Sequence, residues 1–542
     1  MNIASHKKGF FLITFLGLFM LSSIVTFQGR SAAAMDSGDR PDPDISTAYK
    51  LEDGPDTHTE TPVPFAPVKT YYVATDGNDA DPGTFSQPWK TIQKAADSAV
   101  PGSSVYVRGG VYHERVTINV SGSAAAGYIT FRNYDKETAV LDGTGLTVPG
   151  ASNGLFLIAN HSYIIIRGFE IRNFRTSVKD RVPVGIHVRG ASRNIQVRNN
   201  SIHHIEHNGT TVNGVDAHGI AVYGTDPVHA ISGLIISGNE LSELKLGSSE
   251  SLVVNGNVDG FSITNNLVHD NNNIGIVAIG FEGVSSDPAT DQARNGVIAR
   301  NIVYNINSYM NPAYGTDRSA DGIYVDGGTD ITIERNIVHH SNIGIELASE
   351  HVGRATSYIT VRNNFIYLND VVGISMGGYD TLRGSTDNCA VVNNTLFRND
   401  RLQWGNGELQ LQYNTRNNII GNNIFYANAQ NYLITNPFTQ NTGNVVDYNL
   451  FYAPGGPANS RWQWKKIWYK GFPAYGAASG NDSHSFFSNP VIVSTVLPDL
   501  HLKATSPAID SGQNLPAAGP ADINGQTRIQ GDIIDIGADE VR

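Results

Sequence analysis

"ITIERNIVHHSNIGIELASE" runs from Ile331 to Glu350. "ITI" alternates as a strand does, the Arg335–Asn336 pair interrupts it, and "IGIELAS" alternates again. The interruption recurs along the chain. The frames "NNSI", "GNEL", "NNLV", "RNIV", "RNIV", "NNFI", "NNTL", "NNIF" and "YNLF" place Asn200, Asn239, Asn266, Asn301, Asn336, Asn364, Asn394, Asn423 and Asn449 at one position. Their spacings run from 26 to 39 residues. Each Asn follows a short β-branched strand and precedes apolar residues. A period of about 25–30 with variable insertions predicts a solenoid of short parallel strands, one coil stacked on the next. The Asn belongs at a bend, where its amide bonds the copies above and below and where Asn tolerates left-handed backbone. A leucine-rich horseshoe needs a Leu framework that is missing, and a propeller needs a longer, Trp-bearing blade.

Composition agrees with an all-β chain. Of 542 residues only 16% are charged, and 56 are Gly. The net charge is −12. Lys7, Lys8 and Arg30 are the only charges in residues 1–34, so the remainder stands near −15. That balance disfavours nucleic acid as the partner, since phosphates need a basic surface. Residues 1–34 read as a signal peptide: two lysines, the apolar run "GFFLITFLGLFMLSSIVTF" and the small-residue site "SAAA". The alternative is an uncleaved anchor. Cleavage predicts a secreted, extracellular monomer with no membrane attachment and, with Cys389 alone, no internal disulfide. Residues 35–69, rich in Asp, Pro and Thr, read as a disordered linker. Residues 70–452 are expected to form the solenoid with its N-terminal cap, and 453–542 a C-terminal coil and cap segment. Residues 89–99 have the pattern of a short amphipathic helix covering the open first coil.

With its Asn frames, the strands "SVYVRGGVYHERVTI" and "YIIIRGFEIRN" and the entry segment "YYVATDGNDADPGTFSQPWKTIQKAADSAV", the chain resembles the right-handed parallel β-helix proteins of the pectin-lyase-like superfamily. The resemblance implies a right-handed β-helix acting on a polysaccharide or oligosaccharide. It leaves the reaction open, because the fold hosts several chemistries. "SPAIDSG" and "ADINGQTRIQGDIIDIGADE" resemble the closing segment of similar secreted proteins and read as a cap over the last coil. In "RWQWKKIWYKGF", Trp462, Trp464 and Trp468 either stack on sugars or, the preferred reading, pack the cap.

The frames "HGIAVYG", "IGIVAIG", "DGIYVDG", "IGIELAS" and "VGISMGG" align on Gly-Ile. Ile220, Ile276, Ile323, Ile345 and Ile374 then fill the interior. Tyr324, Glu346, Tyr223 and Asp326 face solvent. Asp326 and Glu346 sit on adjacent coils with backbone positions about 8 Å apart, from a coil spacing of about 4.8 Å and a two-residue offset. That separation suits an inverting glycoside hydrolase. Glu346 is expected to be the acid, desolvated by Tyr324, and Asp326 the base. Asp321 is a rival for that role: strict alternation points it inward, but a turn position is the preferred reading. Arg318, Glu350, His351 and Arg354 crowd the same coils as substrate-binding candidates, beside the insert "INSYMNPAYGTDRSA" that walls a cleft. His339, His340 and His351 lack a zinc spacing. The resemblance also admits a lyase with an Arg or Lys base (Arg318, Arg354 or Lys245) and calcium held by Asp317, Asp321 and Asp326, or a surface protein that binds glycans without catalysis. A paired set of outward acids is otherwise a solvated face.

Overall fold

The computed structural model describes residues 69–150 and 153–541. The expected signal peptide and nearly all of the linker lie outside the described residues. No helix among the described residues is long and apolar enough to cross a membrane.

The chain winds as a right-handed parallel β-helix with three sheets. Sheet A has 16 strands, sheet B 13 and sheet C 11. One coil shows the order: Thr329–Glu334 in sheet A, a corner at Asn336, Ile337–His339 in sheet B, then Ile343–Ala348 in sheet C. Inward residues of all three sheets merge into one apolar core that runs the length of the solenoid.

The nine predicted Asn form one ladder at the A–B corner. From Asn200 to Asn423 each backbone N–H and each side-chain amide donates to the next Asn Oδ1, and Asn449 N ends the row on Ser485 Oγ: Asn301 N to Asn336 Oδ1 is 2.9 Å, and Asn336 Nδ2 to Asn364 Oδ1 is 3.0 Å. The side-chain amide also donates to a carbonyl of the strand on the preceding coil, as Asn336 Nδ2 does to Ile298 O. The left-handed backbone is not at the ladder Asn, as the sequence reading had it. It lies one residue earlier, at Asn199, Asn265, Arg300, Arg335, Asn363, Asn393, Asn422 and Tyr448. The ladder Asn supplies the hydrogen bonds and its predecessor makes the bend.

The capping helix spans Ile92–Ser98. Thr91 caps it by accepting from Lys94 N, and the Glu114 carboxylate accepts from Ile92 N at 2.8 Å and Gln93 N at 3.0 Å. Ile92, Ala95 and Ala96 are its buried face. At the far end Trp462 and Trp464 are buried, with Trp462 stacked 4.2 Å from Tyr475, while Trp468 stays exposed. The last parallel rung, Phe486–Phe487, still pairs in sheet B.

The closing segment does more than cap the last coil. It folds back along the A–B corner and meets donors from four coils. Asn422 Nδ2 donates to Gln513 O, Asn393 Nδ2 to Asp535 O, Asn363 Nδ2 to Ala518 O, and Arg335 Nε to Ile523 O.

Candidate active site

Sheet C carries the residues of interest. A column of glycines, among them Gly275, Gly322, Gly344 and Gly373, opens its strands. An added Cβ at Gly322 would lie 2.5 Å from Val338 of the core, and at Gly344 2.7 Å from Ile366. Gly322 therefore turns inward beside Ile323, and the alternation breaks at that step. Asp321, the first residue of strand Asp321–Asp326, consequently shares the outer face with Tyr324. Neither the inward nor the turn position expected for Asp321 holds.

The registers Ile323↔Ile345 and Tyr324↔Glu346 match the alignment read from the sequence. The alignment omitted six of the eleven strands of sheet C, two of them beside the first aligned frame. "VGIHVRG" carries the same Gly-Ile frame, within strand Pro183–Arg189, and was legible. Leu252–Gly256 sits between the first two aligned frames and lacks it.

The outer positions were expected to face solvent, and the structure corrects this. Ala221, Val253, Val277, Ile279, Tyr324 and Ala348 form a second apolar cluster, and Asp326 is only 3% exposed. Loops fold onto this face. Asn311 Nδ2, from the insert, donates to Gly247 O at 2.8 Å and to Asn272 O at 2.7 Å, and Tyr314 accepts from Asn273 Nδ2 at 3.3 Å.

Glu346 is hydrogen-bonded to Asp321. Two carboxyls bond each other only if one keeps a proton. Burial pushes Asp321 well above the usual carboxylate range, and the Glu346 and Glu350 charges push it further. Burial lifts Glu346 to about 7. Ser375 Oγ donates to Glu346 Oε1 at 2.8 Å, and Gln412 Nε2 donates to Ser375 Oγ at 2.7 Å. One oxygen of Glu346 is thus fixed as an acceptor. Asp321 is 2% exposed, whereas Glu346 is partly open to solvent.

Asp326 stands two residues along and one coil away. Its Oδ1 accepts from Glu350 N at 2.8 Å. Its carboxylate, Glu282 and His351 bring ligand-capable atoms within 4.8 Å of one another. This set replaces the expected calcium trio of Asp317, Asp321 and Asp326. It does not fit calcium, which takes oxygen ligands, because an imidazole fills one of its three places.

The other candidates divide. Glu350 lies in the cluster, its charge acting on Asp321, Tyr324 and Glu346. Arg354 lies over the Phe281 ring at 4.8 Å. Arg318 leaves the acids altogether, pairing with Asp370 at 3.3 Å and covering Tyr309. Lys245 pairs with Glu206 at 3.5 Å. Tyr223 lies further along the face, bonded to His218 Nε2 at 3.0 Å.

The sequence reading missed Asp216, Glu250, Glu282, His218, Tyr314 and Gln412. They extend the acids into a strip. Burial first, then the charges of Glu250, Glu282 and Asp216, holds Tyr223 protonated. Tyr324 is held so by burial and by Asp326, Glu350, Glu346 and Asp321. Burial keeps His218 neutral, its pKa lowered to about 4. Most of these groups sit in turns outside the aligned frames, where alternation gives no signal.

A family profile described as "Pel9A-like, right handed beta helix region" matches residues 71–231. Over 437 residues the chain is 40% identical to "Uncharacterized protein YwoF" of Bacillus subtilis (strain 168), covering 81% of this chain and 91% of that one. Over 136 residues it is 35% identical to "Pectate lyase PEL9" of Emericella nidulans, covering 24% of this chain and 33% of that one. Among solved structures it is similar to pectate lyase Pel9A, with a TM-score of 0.42 at 16% identity over 88% of this chain and 98% of that chain. The profile ends before the acid strip's central pair.

Proposed function

The chain belongs to the family of Bacillus subtilis YwoF, and from that premise we propose that it is a polysaccharide-degrading enzyme, a glycoside hydrolase acting at the Asp321–Glu346–Asp326 cluster outside the cell. The proton held between Asp321 and Glu346 carries this reading. Glycoside cleavage needs one carboxyl protonated near neutral pH and another ionised. Glu346, the more open member of the pair, is the general acid that gives its proton to the leaving oxygen. Asp321 touches that acid and holds its proton in place. Asp326, oriented by Glu350 N, is the base that activates water. The register puts the backbones of Asp326 and Glu346 about 8 Å apart, and carboxyls that keep a similar separation leave room for the water of an inverting enzyme. Asp321 is too close to Glu346 to flank a sugar with it.

A polysaccharide lyase is the second reading. The profile over residues 71–231 and the match to a third of a pectate lyase favour it. Two of the three cations offered as its base are engaged elsewhere, Arg318 with Asp370 and Lys245 with Glu206, while Arg354 lies over the Phe281 ring. Product analysis on a polysaccharide panel separates the two. New reducing ends without an unsaturated uronide mark the hydrolase. Glu346→Gln is expected to lower turnover by at least ~10² with the fold intact. Wild-type turnover in both Glu346→Gln and Asp326→Asn would overturn the assignment.

A further inference from the structure

We propose that His203, His204 and Glu243 form a binding site for a divalent transition-metal ion of the zinc class, on sheet B and apart from the acid strip. His203 ends strand Ser201–His203, and His204 takes the left-handed corner beyond it. The register His203↔Ser242 sets Glu243, the corner of the next coil, opposite His204. Fold geometry alone therefore stacks two imidazoles and a carboxylate at one place.

The side chains converge. His203 Nδ1 and His204 Nδ1 are 2.7 Å apart, and Glu243 Oε2 is 3.5 Å from His204 Nδ1. All three ligand atoms lie within 4.8 Å of one another. At 2.7 Å only one of the two facing nitrogens has room for a proton, so the other presents its lone pair there. Two imidazoles and a carboxylate suit zinc, with water in the open fourth place. Tetrahedral bonds of about 2.0–2.1 Å put ligand atoms about 3.3 Å apart, so the rings need to part by roughly 0.6 Å.

A further contact points the same way. Metal-bound imidazoles commonly direct their second nitrogen at a carboxylate. Glu170 Oε1, on the preceding coil, lies 3.4 Å from His203 Nε2 and is held by Arg172. The molecule also contains its own control. His339 and His340 repeat the 2.7 Å Nδ1 contact. The corners stacked on His340 are Asn305 and Leu368, where His204 has Glu243.

The test is calorimetric titration of the metal-stripped full chain, free of any polyhistidine tag, with zinc chloride. One zinc per chain and a zinc-dependent rise in unfolding temperature are expected. Both should vanish in a His203→Ala/His204→Ala variant. Glu243→Gln should weaken binding at least tenfold, and His340→Ala should leave it unchanged. Failure of the wild type to bind zinc stoichiometrically, or undiminished binding by the double variant, would overturn the proposal. Thermal unfolding of each variant without metal separates lost binding from lost fold.

Discussion

The proton between Asp321 and Glu346 governs what the outer face of sheet C does as pH changes. A general acid works only while protonated, so turnover should fall as pH rises through about 7, where Glu346 titrates. Asp321→Asn should shift this limb to lower pH. Its amide donates to Glu346 at every pH and so always favours the carboxylate. A pH–rate profile with an unmoved limb would count against the shared proton. Stability has the same sign. The native pair binds its proton more tightly than the unfolded chain does, so its contribution is full below the ordinary carboxylate range and is lost as pH rises toward 7. Alternation was enough to put Tyr324 over Glu346. It failed at Asp321, because the inward step at Gly322 is set by packing against Val338, which one strand's pattern does not contain. It also failed to show that Asp326 is buried, since loops from other coils cover it.

At the scale of the element, the corner ladder was legible because each rung repeats a residue type with few other uses. Asn336 is fully buried and accepts from both Asn301 N and Asn301 Nδ2. Asn336→Ala removes the acceptor of Asn301 N, leaves Asn301 Nδ2 with Ile263 O alone and takes a donor from the Ile298 carbonyl, at about 3 kcal/mol. Chemical denaturation should show that loss. A value near zero would mean that neighbouring rungs rearrange to close the gap. The bend itself was placed one residue late, because Arg300, Arg335 and Tyr448 are poor advertisements for left-handed backbone. The strand Leu252–Gly256 was invisible for a similar reason. Its run "LVVNG" has no Gly-Ile frame, and only its pairing with His218–Gly224 and Ile276–Ile279 identifies it.

Across the whole molecule, the closing segment behaves as a strap along the A–B corner, a role that no local pattern could announce because its partners lie roughly 90 to 190 residues away. Arg528 is its hub. The side chain is 1% exposed, its Nη2 donates to Asp535 O at 2.9 Å and Gly537 O at 2.6 Å, and its Nε lies 3.8 Å from Glu540 Oε2. Removing one partner of a buried pair leaves the other charge uncompensated and costs about 3–5 kcal/mol. Arg528→Ala should therefore release the strap before it disturbs the solenoid. Hydrogen exchange should speed up first over residues 513–540, and next at the corner amides that the strap covers. The core strands of sheet C should stay protected, because the strap makes its bonds at the opposite corner. Cleavage of substrate should survive for the same reason. Exchange that accelerates uniformly along the chain would show instead that strap and solenoid unfold as one unit.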